Sequence, residues 1–114
     1  MEKKNTFGRT TIAPEVLVSI AQLATLGVEG VSHLTAGSRD MNTLFKKGIN
    51  EGVNISVEDN LVYIDLYVVL KRNYNVRDVS HNIQYQVARS ISEMVGMEIG
   101  QINIHVEDID FGEA

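Results

Sequence analysis

The sequence holds no cysteine, a single proline, and only ten lysines and arginines against fifteen aspartates and glutamates. Without cysteine there are no disulfides, thiolate zinc sites, iron–sulfur clusters or cysteine nucleophiles. The deficit of positive charge leaves a formal net charge of -5. That is the wrong sign for a protein whose main work is neutralising phosphates, so nucleic acid is not an expected partner. Long apolar runs are also missing. Asp65 interrupts the stretch from Leu61 to Leu70, well short of the ~20 residues a membrane helix needs. Nor do the charges of Met1 to Lys4 lead into an apolar stretch of the signal-peptide kind. The expectation is a cytoplasmic chain without a membrane span, for which any membrane association must be indirect.

What is present suits one folded unit. Hydrophobic residues make up 44% and charged residues 22% of the 114 positions, enough to bury one core but not two. Residues 1–7 read as a flexible tail, 8–110 as a single domain with a long loop at 36–52, and 111–114 as an acidic tail.

The local pattern gives seven elements. Gly8 to Ile12, with Thr10, Thr11 and Ile12, reads as a short strand. Pro14 then opens a helix to about Leu26, in which Leu17, Ile20, Ala21 and Ala24 recur at helical spacing and Gly27 is placed to supply a left-handed end. Val28 to Leu34 is a second strand. Val53, Ile55 and Val57 precede Glu58-Asp59-Asn60, after which Val62, Ile64, Leu66, Val68 and Leu70 alternate with Tyr63, Asp65, Tyr67 and Lys71. This is a hairpin, and Asp59 and Asn60 tolerate the positive φ that a primed two-residue turn demands.

Asn75, with Asp78 three positions on, caps a helix from Val76. Its stripe is Val79, Ile83, Val87, Ile91 and Met94 or Val95, and Gly96 stops it. Ile102, Ile104 and Val106, alternating with Asn103, His105 and Glu107, form the last strand. The class is therefore α+β in two layers: a mainly antiparallel sheet with two amphipathic helices on one face, in the order β-α-β-β-β-α-β.

No constellation for chemistry emerges. His33, His81 and His105 fall on three different elements, away from metal-ligand spacing. The acidic run Glu107, Asp108, Asp110 and Glu113 lacks the spaced ligands and glycine turn of a calcium loop. No serine sits in a Gly-x-Ser-x-Gly elbow. Gly27-Val-Glu-Gly30 matches a Gly-x-x-Gly loop, but Glu29 at its centre repels phosphate. The expectation is no catalytic residue, no cofactor and no metal. The residues that stand out are Leu61, Tyr63, Tyr67, Val69 and Lys71, on the hairpin face opposite the helices, as a candidate protein-contact surface, the alternative being a face covered by the loop at 36–52.

Gly8-x-x-x-Ile12-Ala-Pro-Glu-Val16 with Ile20-Ala21, Gly27-Val-Glu-Gly-Val31, Val62-x-Ile64-Asp65-Leu66-Tyr67-Val68-Val69, Val76-x-x-Val79 with Ile83-Gln84 and Val87, and Val95-Gly96 followed by Ile102-Asn103-Ile104-His105-Val106 form a pattern. It resembles the alkaline-shock and general-stress family of Gram-positive bacteria over nearly the whole chain. The chain departs from it at Lys71-Arg72-Asn73-Tyr74, where many relatives carry a Tyr-Gly pair, and at 36–52. The resemblance implies a small soluble protein of cell-envelope homeostasis, held near the membrane in some relatives by a membrane-embedded partner, with no catalytic residues to carry over.

Three readings follow. The first is a self-associating stress-response scaffold or adaptor with Tyr63 and Tyr67 as anchors, using the hairpin face or the edge of the sheet. The second is a small-ligand or lipid-metabolite regulator with a pocket at Leu44 and Phe45. The third is single-stranded nucleic-acid binding through Tyr63, Tyr67, Lys71 and Arg72, against which the net charge counts.

Overall fold

The computed structural model describes residues 7–36 and 52–112. Six elements follow one another: α1 (Pro14–Leu26), β1 (Val31–Leu34), β2 (Val53–Glu58), β3 (Leu61–Lys71), α2 (Val76–Val95) and β4 (Glu98–Asp110). The α+β class and the two-layer build agree with the sequence reading. The strand expected at Gly8–Ile12 is not there, and those residues are exposed and take no part in the sheet. A β-prone triplet has no strand to form when no ladder offers it a place. The tail expected at 1–7 and the loop expected at 36–52 lie largely outside the described residues.

Local chemistry sets the bounds of the elements. Pro14 stands in the first turn of α1 and Glu15 at its positive end. Gly27 ends α1 at φ -82, so it is right-handed and not the left-handed terminus expected; its N–H still closes onto Leu23 O. In α2 the Asn75 side chain accepts from the Asp78 N–H at 3.0 Å, and Gly96 closes the helix at φ 74. Asp59 and Asn60 turn the β2–β3 hairpin with φ of 54 and 68.

β3 is the spine of the sheet. β4 runs parallel to it along one edge, while β1 and β2 lie end to end, both antiparallel, along the other: Val31 to Leu34 oppose Leu70 to Val68, and Val53 to Glu58 oppose Leu66 to Leu61. Two of the three pairings are antiparallel. The parallel one follows from α2, whose twenty residues carry the chain back to the start of β3.

The even-numbered residues of β3, from Val62 to Leu70, are all at most 1% exposed and meet Leu17, Ile20 and Ala21 of α1 and Val79, Ile83, Val87 and Ile91 of α2. The odd-numbered residues consequently point to the other face.

Candidate functional site

Strand alternation places all five candidate contact residues, Leu61, Tyr63, Tyr67, Val69 and Lys71, on the sheet face away from the helices. Register adds neighbours from the flanking strands: Asn54, Ser56 and Glu58 from β2, Gln101, Asn103, His105, Asp108 and Asp110 from β4, and His33 from β1.

This face is less open than alternation alone predicts. Tyr63 lies over Gly100, where an added Cβ would come within 2.6 Å of the ring. Gly100 is the extra residue of a β-bulge in β4, between Ile99 opposite Val62 and Gln101 opposite Tyr63. Tyr67 stacks on His105 with ring centroids 4.5 Å apart and 12° between the planes. Leu61, Tyr63, Asp65 and Tyr67 are half-buried, Val69 is 7% exposed, and Lys71 is exposed at the strand end.

Two polar clusters flank the rings. In the middle of the face, Asp65 Oδ1 lies 2.9 Å from His105 Nε2 and accepts from Asn103 Nδ2 at 3.2 Å. Three residues from two parallel strands thus form one knot, with Tyr67 stacked on its imidazole. At the far end, Ser32 Oγ donates to Asp110 Oδ2 at 2.7 Å and lies 2.9 Å from His33 Nδ1.

Serine, histidine and aspartate thus come together, but in the wrong order for nucleophilic catalysis. A catalytic histidine stands between the serine and the acid, taking the hydroxyl proton. Here the serine is in the middle and its proton is committed to the carboxylate. The Asp110 carboxyl is held below its usual range, chiefly by the Ser32 hydroxyl, then by the Gly112 N–H, with smaller contributions from His33 and Lys71. This weakens it as a base. Neither cluster was readable from the sequence, because both depend on β4 lying parallel to β3, and no local spacing encodes that register.

His81 is exposed on α2. Among the described residues no three His, Asp or Glu side chains converge as metal ligands, and no helix is long and apolar enough to cross a membrane. The pocket expected at Leu44 and Phe45 lies outside the described residues. A separate cleft of about 330 Å³ opens between the end of α1 and α2, lined by Leu23, Ala24, Gly27, Val28, Glu29, Asn82 and Gln86. Beside it, Tyr74 donates to Glu29 Oε2 at 3.2 Å across the Gly27–Gly30 turn, and that carboxylate raises the phenol pKa.

A family model for alkaline-shock protein 23, described as having a cell envelope-related function, matches residues 2–111. Among curated proteins, the chain is similar to the uncharacterized protein YloU of Bacillus subtilis, 22% identical over 96% of this chain and 94% of that one. It is also similar to the uncharacterized protein YqhY of the same organism, 28% identical over 91% of this chain and 78% of that one. An uncharacterized Streptococcus pyogenes protein, Spy1614, is 26% identical over 73% of this chain and 69% of that one. No solved structure matches the chain significantly.

Proposed function

This chain belongs to the alkaline-shock protein 23 family, whose function is cell envelope-related, and from that membership we propose that it is a non-enzymatic scaffold or adaptor that works by binding proteins, including further copies of itself. It acts in the cytoplasm, near the membrane when a membrane-embedded protein partner holds it there. The observation that carries this reading is the sheet face lined by Leu61, Tyr63 and Tyr67, next to the buried Val69, which no helix of the described chain covers. Aromatic and aliphatic residues on such a face are typical anchors of protein contacts, because large rings gain most when a partner excludes water from them.

The polar groups on the face favour binding over turnover. Asp65 is engaged by His105 and Asn103, and Asp110 by Ser32 and Gly112, so the carboxylates are spent on holding side chains in place. The test is light scattering behind size exclusion, together with capture of partners from the membrane fraction, for the natural chain and for the Tyr63→Ser/Tyr67→Ser variant. Loss of assembly or of a captured membrane protein in the folded variant supports the reading. Assembly and capture both unchanged would sink the role of this face.

A further inference from the structure

We propose that the chain self-associates through the outer edge of β2, which no described strand pairs with, pairing antiparallel with β2 of a second copy about a two-fold axis at Ile55. The inference rests on the scaffold reading and names the surface and register of its self-association.

The sheet has two outer edges, and they are built differently. The β4 edge is guarded. Two bulges, at Gly100 and Glu107, break its regularity, and Gln84 of α2 donates to the main-chain carbonyl of Ile102 at 3.0 Å. If β4 paired with itself about Ile104, Glu98 of each copy would stand opposite Asp110 of the other, placing like charges together. Bulges, charges and capped carbonyls are the usual means of keeping an edge from recruiting another strand.

Among the described residues the β2 edge has none of these. Its ladder with β3 runs without a bulge from Val53 to Glu58, and no proline or charge lies between Val53 and Val57. The Gly52 carbonyl accepts from the Tyr67 N–H, so Gly52, Asn54, Ser56 and Glu58 point their main-chain groups at β3. By alternation, Val53, Ile55 and Val57 present theirs to the open edge.

The residues of that edge are arranged symmetrically. Val53-Asn54-Ile55-Ser56-Val57 has the same polarity read in either direction from Ile55. A two-fold at Ile55 sets Ile55 against Ile55, Val53 against Val57, and Asn54 against Ser56, and Glu58 then meets Gly52. Apolar side chains stay on the helix side, polar ones stay on the outer side, and no charge opposes its like. This self-matching favours a second copy over a foreign strand. Val57 is 45% exposed and Ile55 half-buried in the single chain, and both would lose water on pairing.

The absence of cysteine makes the register directly readable. Residues paired across a hydrogen-bonded position have Cα atoms about 5.5 Å apart, within disulfide range. Ile55→Cys is therefore expected to form a covalent dimer on mild oxidation, while Ile104→Cys on β4 is not. Val57→Pro removes an N–H that β3 does not use and is expected to give a folded monomer by circular dichroism and light scattering. The natural chain and the Tyr63→Ser/Tyr67→Ser variant are both expected to run at twice the mass of the single chain. Hydrogen exchange serves as a readout independent of any variant: on dilution into monomer, the amides of Val53, Ile55 and Val57 lose protection while those of Asn54 and Ser56 keep it. Dissociation by the tyrosine variant with Val57→Pro still dimeric, or cross-linking at Ile104→Cys in place of Ile55→Cys, would overturn the edge pairing and leave the scaffold reading standing. A natural chain that is monomeric at every concentration would overturn both.

Discussion

Thr35 and Gly52 share a single pairing position on β3: Thr35 donates its N–H to the Tyr67 carbonyl and Gly52 accepts from the Tyr67 N–H, each at 2.9 Å. In a regular antiparallel ladder one residue opposite Tyr67 would supply both groups. Here two residues far apart in the chain do so, and β1 and β2 become two lengths of one edge. Gly52 fits because it has no side chain. It sits at φ 79, and a Cβ there would meet Leu34 Cβ at 2.8 Å and the Thr35 and Tyr67 carbonyls at 2.9 Å.

Gly52→Ala therefore meets both a disfavoured φ and backbone atoms that cannot swing away. A loss of about 1–3 kcal/mol is expected from the conformation alone, with steric cost added, measured as a lower urea midpoint at unchanged slope. A shift within error would show that the junction is not tightly held.

Gly100→Ala is expected to push the Tyr63 ring off the sheet, since the added methyl would sit 2.6 Å from it. In the Tyr63→Ser background the same change should cost little. A double-mutant cycle reads the coupling, expected at about 0.5–3 kcal/mol for residues in contact. Additive effects would mean the ring does not rest on Gly100 in solution.

Asn75→Ala removes the side-chain acceptor for the Asp78 N–H and is expected to destabilise the protein by about 1 kcal/mol. Asn75→Asp is expected to keep most of the stability. Thermal melts of the two variants compare them directly.

Asp110 has a folded-state pKa below its ordinary value, chiefly through Ser32. A depressed carboxyl favours folding above the unfolded pKa, and this contribution is lost as pH falls through the folded value. Ser32→Ala should move the Asp110 titration, followed by carboxyl carbon resonances, upward toward the usual range, and should lessen the acid sensitivity of the end of the sheet. An unmoved titration would remove the Ser32 contact from the account.

Much of the fold was legible where a residue's own chemistry fixes the backbone. Pro14, Asn75, Gly96 and the Asp59-Asn60 turn each did so, and the elements they bound fall where expected. The face occupied by Tyr63 and Tyr67 followed from the period of two. Partner choice was not legible. Thr10, Thr11 and Ile12 have strand propensity but no ladder to join, and the parallel β3–β4 register that brings His105 to Asp65 and Asp110 to Ser32 is decided by the crossover through α2. Val69 was expected at the surface and is buried, with His33 and Asp108 beside it in register.

Because, among the described residues, β1, β2 and β4 pair with β3 and not with one another, the order of assembly is constrained in time as well as in space. The β2–β3 hairpin closes across two residues at little entropic cost, whereas β1 and β4 must each wait for a longer loop to close onto the strand already formed. The hairpin and the first turns of α2 against it are thus the natural folding nucleus. Slowed refolding should concentrate in substitutions at Ile64 and Ile83, while changes in β1 act mainly on the unfolding rate.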